Sequence, residues 1–228
     1  AVPDREGVVG VDARAAAVAG LATVFSSSTG DPGNCHLLCE ALAAPQRLVS
    51  PTRFTNSVHN APAGYWHIAT KSRAASTSLA AFDASFAAGL LEAAVQCVAS
   101  AAPVLLVACD VPYPEPLHTV RPVADVFAVA LLLRPAAADG RGLSIQTAPA
   151  AADIFTTCCA HKGLEAVRRG IPAARALPLL QALAGSSAAD IVIEGLSDMA
   201  LRVQVDVRAE VGTELPTAAR ADPQSSPS

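Results

Sequence analysis

The feature that most limits how this chain can fold is a short strand that turns into a helix with almost no polar side chains. Ser76-Thr-Ser-Leu79 is a β-branched and apolar run, and a turn at Asp83 leads into the long apolar stretch that contains Ser85, Phe86, Gly89, Leu90 and Glu92. Glu92, Gln96 and Ser100 fall at i, i+4 and i+8, and Ser85 lies seven before Glu92. Helical geometry gathers these polar side chains into one narrow stripe. A helix with so little polar surface is predicted to be buried on most sides. The turn residue then stands exposed at the strand end, where the helix N-terminus favours negative charge, and this is a common seat for a nucleophile. In this chain the residue there is an aspartate.

The rest of the chain supports a deep core. Hydrophobic residues make up 52% of the 228 residues and charged residues 16%, which excludes a disordered polymer. Aromatics are only 4%, so the core must be built from alanine, valine and leucine. A net charge of -4 gives no electrostatic reason to expect nucleic acid or an anionic membrane surface. The six cysteines form no secreted-type framework, and no signal peptide is seen at Ala1, so a cytoplasmic location is expected. The apolar stretches are interrupted by Glu92, Gln96 and Pro103 or are too short, so no bilayer span is expected.

Further elements follow from the apolar runs. A short helix is possible around Ala15. Leu21 to Ser28 reads as a buried strand, Thr29 to Asn34 as a turn, and Asn34 as the cap of a helix over Cys35 to Ala43. Ser50 to Gly64 is dense in polar side chains and turn formers, and a helix is expected from Ala63 to Thr70. Pro103 to Cys109 and Ala124 to Leu133 read as buried strands, joined by an exposed loop, Asp110 to Pro122, with four prolines. Gly142 to Ala148 reads as a further strand, a neighbour to Ala124 to Leu133, and the signal from Pro149 to Leu177 is weak. A helix over Pro178 to Ala184 and a hairpin-like pair, Asp190 to Glu194 with Leu201 to Val207, complete the pattern of a mixed α/β sheet. Residues 213–228, rich in proline, serine, alanine and aspartate, are expected to be a disordered tail after a single domain over 1–212.

Several of these segments carry a family likeness. They are Pro51-Thr-x-Phe54, Asn56 to Gly64, Ala74-Ala-Ser-Thr-Ser-Leu79, Asp83 to Ala93 and Pro103 to Ala108. Together they resemble the β-ketoacyl synthases, the condensing acyltransferases of fatty-acid and polyketide biosynthesis. The likeness is greatest to their divergent N-terminal-like branch found with aryl-polyene-type pathways. The resemblance implies a thiolase-like fold: a mixed five-stranded sheet with a buried central helix after the nucleophile-position turn. It also implies that Asp83 stands where an active synthase has its cysteine, and that His59, Asn56, Asn60 and Ser85 surround it. Two histidines of the family's C-terminal half have no counterpart in the surroundings of His118 or His161, and the chain is too short for a full second half.

Elementary chemistry points the same way. A thiolate is nucleophilic near neutral pH and becomes more abundant at a helix terminus. A carboxylate attacking a thioester gives a mixed anhydride, a poor resting intermediate for chain extension. The expected function is therefore a non-condensing subunit, similar to a chain length factor. It would work with an active β-ketoacyl synthase as a heterodimer, or with itself, and acyl carrier protein is a possible partner. No cofactor and no metal are implied.

The alternative is a stand-alone thioester decarboxylase or hydrolase using Asp83 and His59 for proton transfer. A degraded, partner-less remnant is a third possibility. Simpler readings stand beside these. Asp83 can be an N-cap bonding the amides of Ser85 or Phe86, a role alone worth about 1 kcal/mol. His59 can be a loop-holding residue. Cys35-His-Leu-Leu-Cys39 and Cys158-Cys159-Ala-His161 match no zinc spacing and read as buried cysteines. Ser26 to Gly30 lacks the glycine spacing and lysine of a phosphate loop and reads as a strand end and turn.

Overall fold

The strand Ala22–Ser26 (β1) lies inside a sheet, and the other core elements are placed around it. A computed structural model describes residues 18–136, 142–151, 155–185, 187–196 and 199–208. The expected helix around Ala15 and the tail over 213–228 lie outside the described residues. β1 pairs in parallel with Ser76–Leu79 (β2) on one side and with Val104–Asp110 (β3) on the other. Phe127–Leu133 (β4) closes the sheet antiparallel to β3, giving the order β2-β1-β3-β4. The expected five-stranded sheet is thus four-stranded among the described residues. The later strands form a separate antiparallel sheet in the order Gly142–Ala151 (β5), Met199–Arg208 (β7), Ala189–Glu194 (β6), so β5 pairs with β7 and not with β4 as expected. Apolar runs alone do not say which strands share a ladder.

Between β1 and β2 the chain makes three helices, Pro32–Ala43 (α1), Pro51–Asn56 (α2) and Ala61–Thr70 (α3). The cap of α1 is Asp31, whose side chain accepts from the Asn34 amide at 2.9 Å. Asn34 is inside the helix, and its side chain donates instead to the Arg53 carbonyl. Proline at the first helical position explains why the cap falls earlier than expected. The same device, Ser50 before Pro51, starts α2 within a stretch expected to be loop.

The apolar helix is Ser85–Ser100 (α4). Its first half is buried through Phe86, Ala87, Gly89 and Leu90, but Val98 is 79% exposed, so burial on most sides fails in the last turns. The polar stripe forms as expected: the Gln96 amide donates to Glu92 at 2.7 Å and to Thr77 of β2 at 2.9 Å. Segment Phe82–Ser100 is long and apolar enough, by length and composition, to cross a membrane, yet its inner face is the centre of the core.

One cluster runs from Val24, Val104 and Leu106 through Phe86, Leu90, Ala93 and Cys97 to Ile191, Ile193, Leu201, Val203 and Val205. The helix is therefore packed between the two sheets. Gly89 allows that approach, since a Cβ there would stand 2.7 Å from Ser26 Cβ and 3.0 Å from Leu106 Cδ1. Phe25 points to the other face of β1, edge-on to Trp66 of α3 at 6.4 Å.

After β3 come a single turn, Leu117–Val120 (α5), then β4 and β5. Lys162–Gly170 (α6) and a 3-10 turn Pro172–Ala176 fall in the stretch where the sequence signal is weak, and Leu177–Gly185 (α7) is the helix expected over Pro178 to Ala184. His161 caps α6, its Nδ1 accepting from the Leu164 amide.

Candidate functional site

Strands β1, β2 and β3 run in parallel, so their C-terminal ends share one edge of the sheet. The chain leaves β1 for β2 on one side and returns to β3 on the other. Ligands in open α/β sheets favour the crevice at such a switch point. Here the crevice between β1 and β3 is filled from within. Asp110 ends β3 and is only 1% exposed, not the start of an exposed loop as expected. Its Oδ1 accepts from the amides of Ser28 at 2.7 Å and Thr29 at 3.1 Å and from the Ser27 hydroxyl at 3.2 Å. Its Oδ2 accepts from the Ala173 amide at 2.7 Å. The Ser26–Gly30 turn, read from the sequence as a strand end, is thus an amide cradle whose anion is the protein's own carboxylate. Gly30, at φ +62°, supplies the left-handed residue that the turn requires.

Asp83 follows β2 at the entry to α4. It is not the helix cap. Ala84 holds that position with no side-chain bond, and Ser85 closes the corner, its hydroxyl donating to the Phe82 carbonyl and accepting from the Ala81 amide. The Asp83 carboxylate faces two guanidiniums instead. Arg121 Nη2 donates to Asp83 Oδ1 at 2.8 Å and to Ser28 Oγ at 2.6 Å. Arg175 Nη2 lies 3.6 Å from Asp83 Oδ2, another Arg175 nitrogen donates to the Asp83 carbonyl, and its Nε pairs with Glu194 at 3.0 Å.

The residue before Asp83 is strained. Phe82 has φ +50°, a region bulky side chains avoid, and 61% of it is exposed. The Arg121 guanidinium covers its ring at 3.6 Å from the centroid, a cation–π contact that offsets part of that strain.

The other expected residues divide between those at the corner and those away from it. Ser85 is buried at the corner. His59 contacts the far side of the β1 turn, its Nε2 3.1 Å from the Ser27 carbonyl, and the bonds made by Asp83 go to the arginines, so the His59–Asp83 proton-transfer pair is not formed. His59 holds the loop, as its simpler reading had it. Asn56 accepts from the Tyr65 hydroxyl at 2.8 Å, and Asn60 precedes α3 without making a cap bond. Arg121 and Arg175, the partners of Asp83, went unnoticed in the sequence, and so did Asp110.

A cavity of about 200 Å³ opens beside Asp83, lined also by Arg121, Arg169 and Arg175. No cysteine lines it. Cys97 is buried in α4, and burial raises its pKa. Cys109 on β3 is raised by burial and then by the neighbouring Asp110 charge. Neither thiol is poised as a nucleophile. Cys35, Cys39 and Cys158 are exposed rather than buried as expected, and only Cys159 of those two motifs is in the interior. Among the described residues no three histidine, cysteine or acidic side chains are grouped to hold a metal.

Several solved structures are similar to this chain. One chain of the ketosynthase (ApeO) in complex with its chain length factor (ApeC) from Xenorhabdus doucetiae is similar at 28% identity and TM-score 0.61, with 81% of this chain and 69% of that one covered. The 3-oxoacyl-(acyl carrier protein) synthase III, FabH, from Pseudomonas aeruginosa PAO1 is similar at 16% identity and TM-score 0.44, covering 83% of this chain and 77% of that one. No curated protein matches the chain. Residues 9–185 match the family described as β-ketoacyl synthase, N-terminal domain, and this chain belongs to that family.

Proposed function

We propose that this protein is a non-condensing β-ketoacyl synthase-like subunit, acting in the cytoplasm beside an active ketosynthase in fatty-acid or polyketide biosynthesis of the aryl-polyene type. The observation that carries the reading is the corner itself. The residue at the sheet–helix turn is Asp83, and its carboxylate is held by Arg121 and Arg175. A carboxylate whose two oxygens are both engaged by guanidiniums is poorly placed to attack a thioester. The likeness to the ApeO–ApeC complex supports a companion role, since that assembly pairs a ketosynthase with its chain length factor. In this role the subunit borders the acyl pocket of its partner, and a carrier protein delivers the chain to the assembly.

The test is condensation from malonyl- and acyl-carrier-protein thioesters, measured with the purified chain alone and after co-expression with a ketosynthase from the same pathway. Product is expected only from the pair, together with co-purification at equal stoichiometry. Condensation by the chain alone overturns the reading. Thioester cleavage by the chain alone, abolished in Asp83→Asn, would favour the stand-alone enzyme instead.

A further inference from the structure

The geometry points to the cavity beside Asp83 as a binding site for a small oxyanion, a phosphoryl or carboxylate group, held by Arg169 and Arg121. The lining brings three guanidiniums, Arg121, Arg169 and Arg175, to one carboxylate, Asp83. Glu194 neutralises Arg175 from outside the cavity at 3.0 Å, and Asp83 neutralises Arg121 at 2.8 Å. One positive charge is left in excess. It belongs to Arg169, which has no carboxylate within 4.0 Å among the described residues and is exposed at the end of α6.

The neutral walls suit an anion as well. Gly170 and Pro172 line the cavity, and the Gly170 carbonyl, which would repel an anion, is already occupied by the Ala124 amide at 3.1 Å. The volume of about 200 Å³ holds roughly six waters at about 30 Å³ each, enough for a tetrahedral oxyanion with part of its hydration. Arg121 is fixed on its other side by Ser28 Oγ and the Phe82 ring, so it is preorganised before any ligand arrives. Asp83 competes with the ligand for Arg121 and sets the affinity by that competition. The inference rests on the lining of the cavity and not on the presence of a partner subunit, so its failure would leave the companion role standing.

Calorimetric titration of the full chain with sodium phosphate, and separately with sodium acetate, tests this at ionic strength held constant with sodium chloride. Saturable one-to-one binding of at least one ion is expected. A preference for phosphate assigns a phosphoryl group, and a preference for acetate assigns a carboxylate. Arg169→Ala should weaken binding about tenfold, as the loss of one charge-assisted hydrogen bond implies, and Arg169→Lys should recover part of it. Asp83→Asn should tighten binding, because it removes the competing charge. Circular dichroism checks that each variant is folded. Absence of saturable heat with either ion, unchanged affinity in folded Arg169→Ala, or weaker binding in folded Asp83→Asn overturns the proposal.

Discussion

Asp83 follows β2 and Asp110 ends β3, the two strands that flank β1 in parallel, and they are held in opposite ways. Asp110 is buried and is bonded to backbone amides from the β1 turn and the 3-10 turn, and among the described residues no cation pairs with it. The side chain of Asp83 is 39% exposed and is bonded to two arginines. A carboxylate fixed by amides joins segments of backbone, and removing it leaves those amides buried without partners. A carboxylate fixed by side-chain cations at a cavity wall can be exchanged at small structural cost. The first is architecture, and the second is free to change its chemistry within a constant fold.

The strongest test of that contrast is Asp110→Ala. It strands the amides of Ser28 and Ala173 and leaves the Thr29 amide only its 3.3 Å bond to Ser27 Oγ, and each donor left unpaired costs roughly 1–3 kcal/mol. A loss of about 3 kcal/mol or more is expected in urea unfolding, and Asp110→Asn, which keeps one acceptor oxygen, should recover only part of it. A change below about 1 kcal/mol in Asp110→Ala would erase the distinction between the two carboxylates. Next in size is Gly89→Ala, which acts on the seat of α4 beneath the Asp83 corner. The added methyl would meet Ser26 Cβ at 2.7 Å, so the helix must shift, at about 1–3 kcal/mol in the same unfolding experiment.

Asp83→Asn should fall well below both. The pair with Arg121 is partly open to solvent, and such pairs are worth about 0–1 kcal/mol. The same urea midpoint, compared with that of Asp110→Asn, reads the difference directly. Equal losses in the two asparagine variants would mean that Asp83 is as structural as Asp110.

This contrast also explains what could be read from the sequence. The β2 to α4 corner was legible because a β-branched run, a turn and a polar stripe lie within one stretch, and the family likeness then placed Asp83. The guanidinium partners lie 38 and 92 residues further on, Arg121 in a proline-rich loop and Arg175 in a 3-10 turn, and no local pattern marks either as facing Asp83. Asp110 was missed because a carboxylate after an apolar strand reads as the start of a loop unless the amides that fold over it are known. Helix α6 was missed for a different reason. Its capping histidine is a weak signal, and its charged residues outnumber its apolar ones. The split into two sheets was beyond local reading as well, since strand partnership is a property of tertiary packing.

A third carboxylate combines the two modes of attachment and so sharpens the comparison. Glu165 Oε2 accepts from the Cys159 amide at 2.8 Å and from Arg168 Nε at 2.8 Å, and Oε1 accepts from Arg168 Nη2 at 2.7 Å. The hydrogen bonds from Arg168, and then the one from the Cys159 amide, lower its pKa from the ordinary 4.5 to about 2. Because the folded value lies below the unfolded one, the folded state gains stability from the ionised form. That gain is complete above pH 4.5 and is lost as the pH falls towards about 2. The stability difference between the native chain and Glu165→Gln should therefore be constant above pH 4.5 and shrink below it, when urea midpoints are compared across that range. It should be smaller than that of Asp110→Ala, since a glutamine keeps one acceptor oxygen for the Cys159 amide or Arg168. If the difference instead persists unchanged to the acid limit, the amide contact dominates, and Glu165 belongs with Asp110 rather than with Asp83.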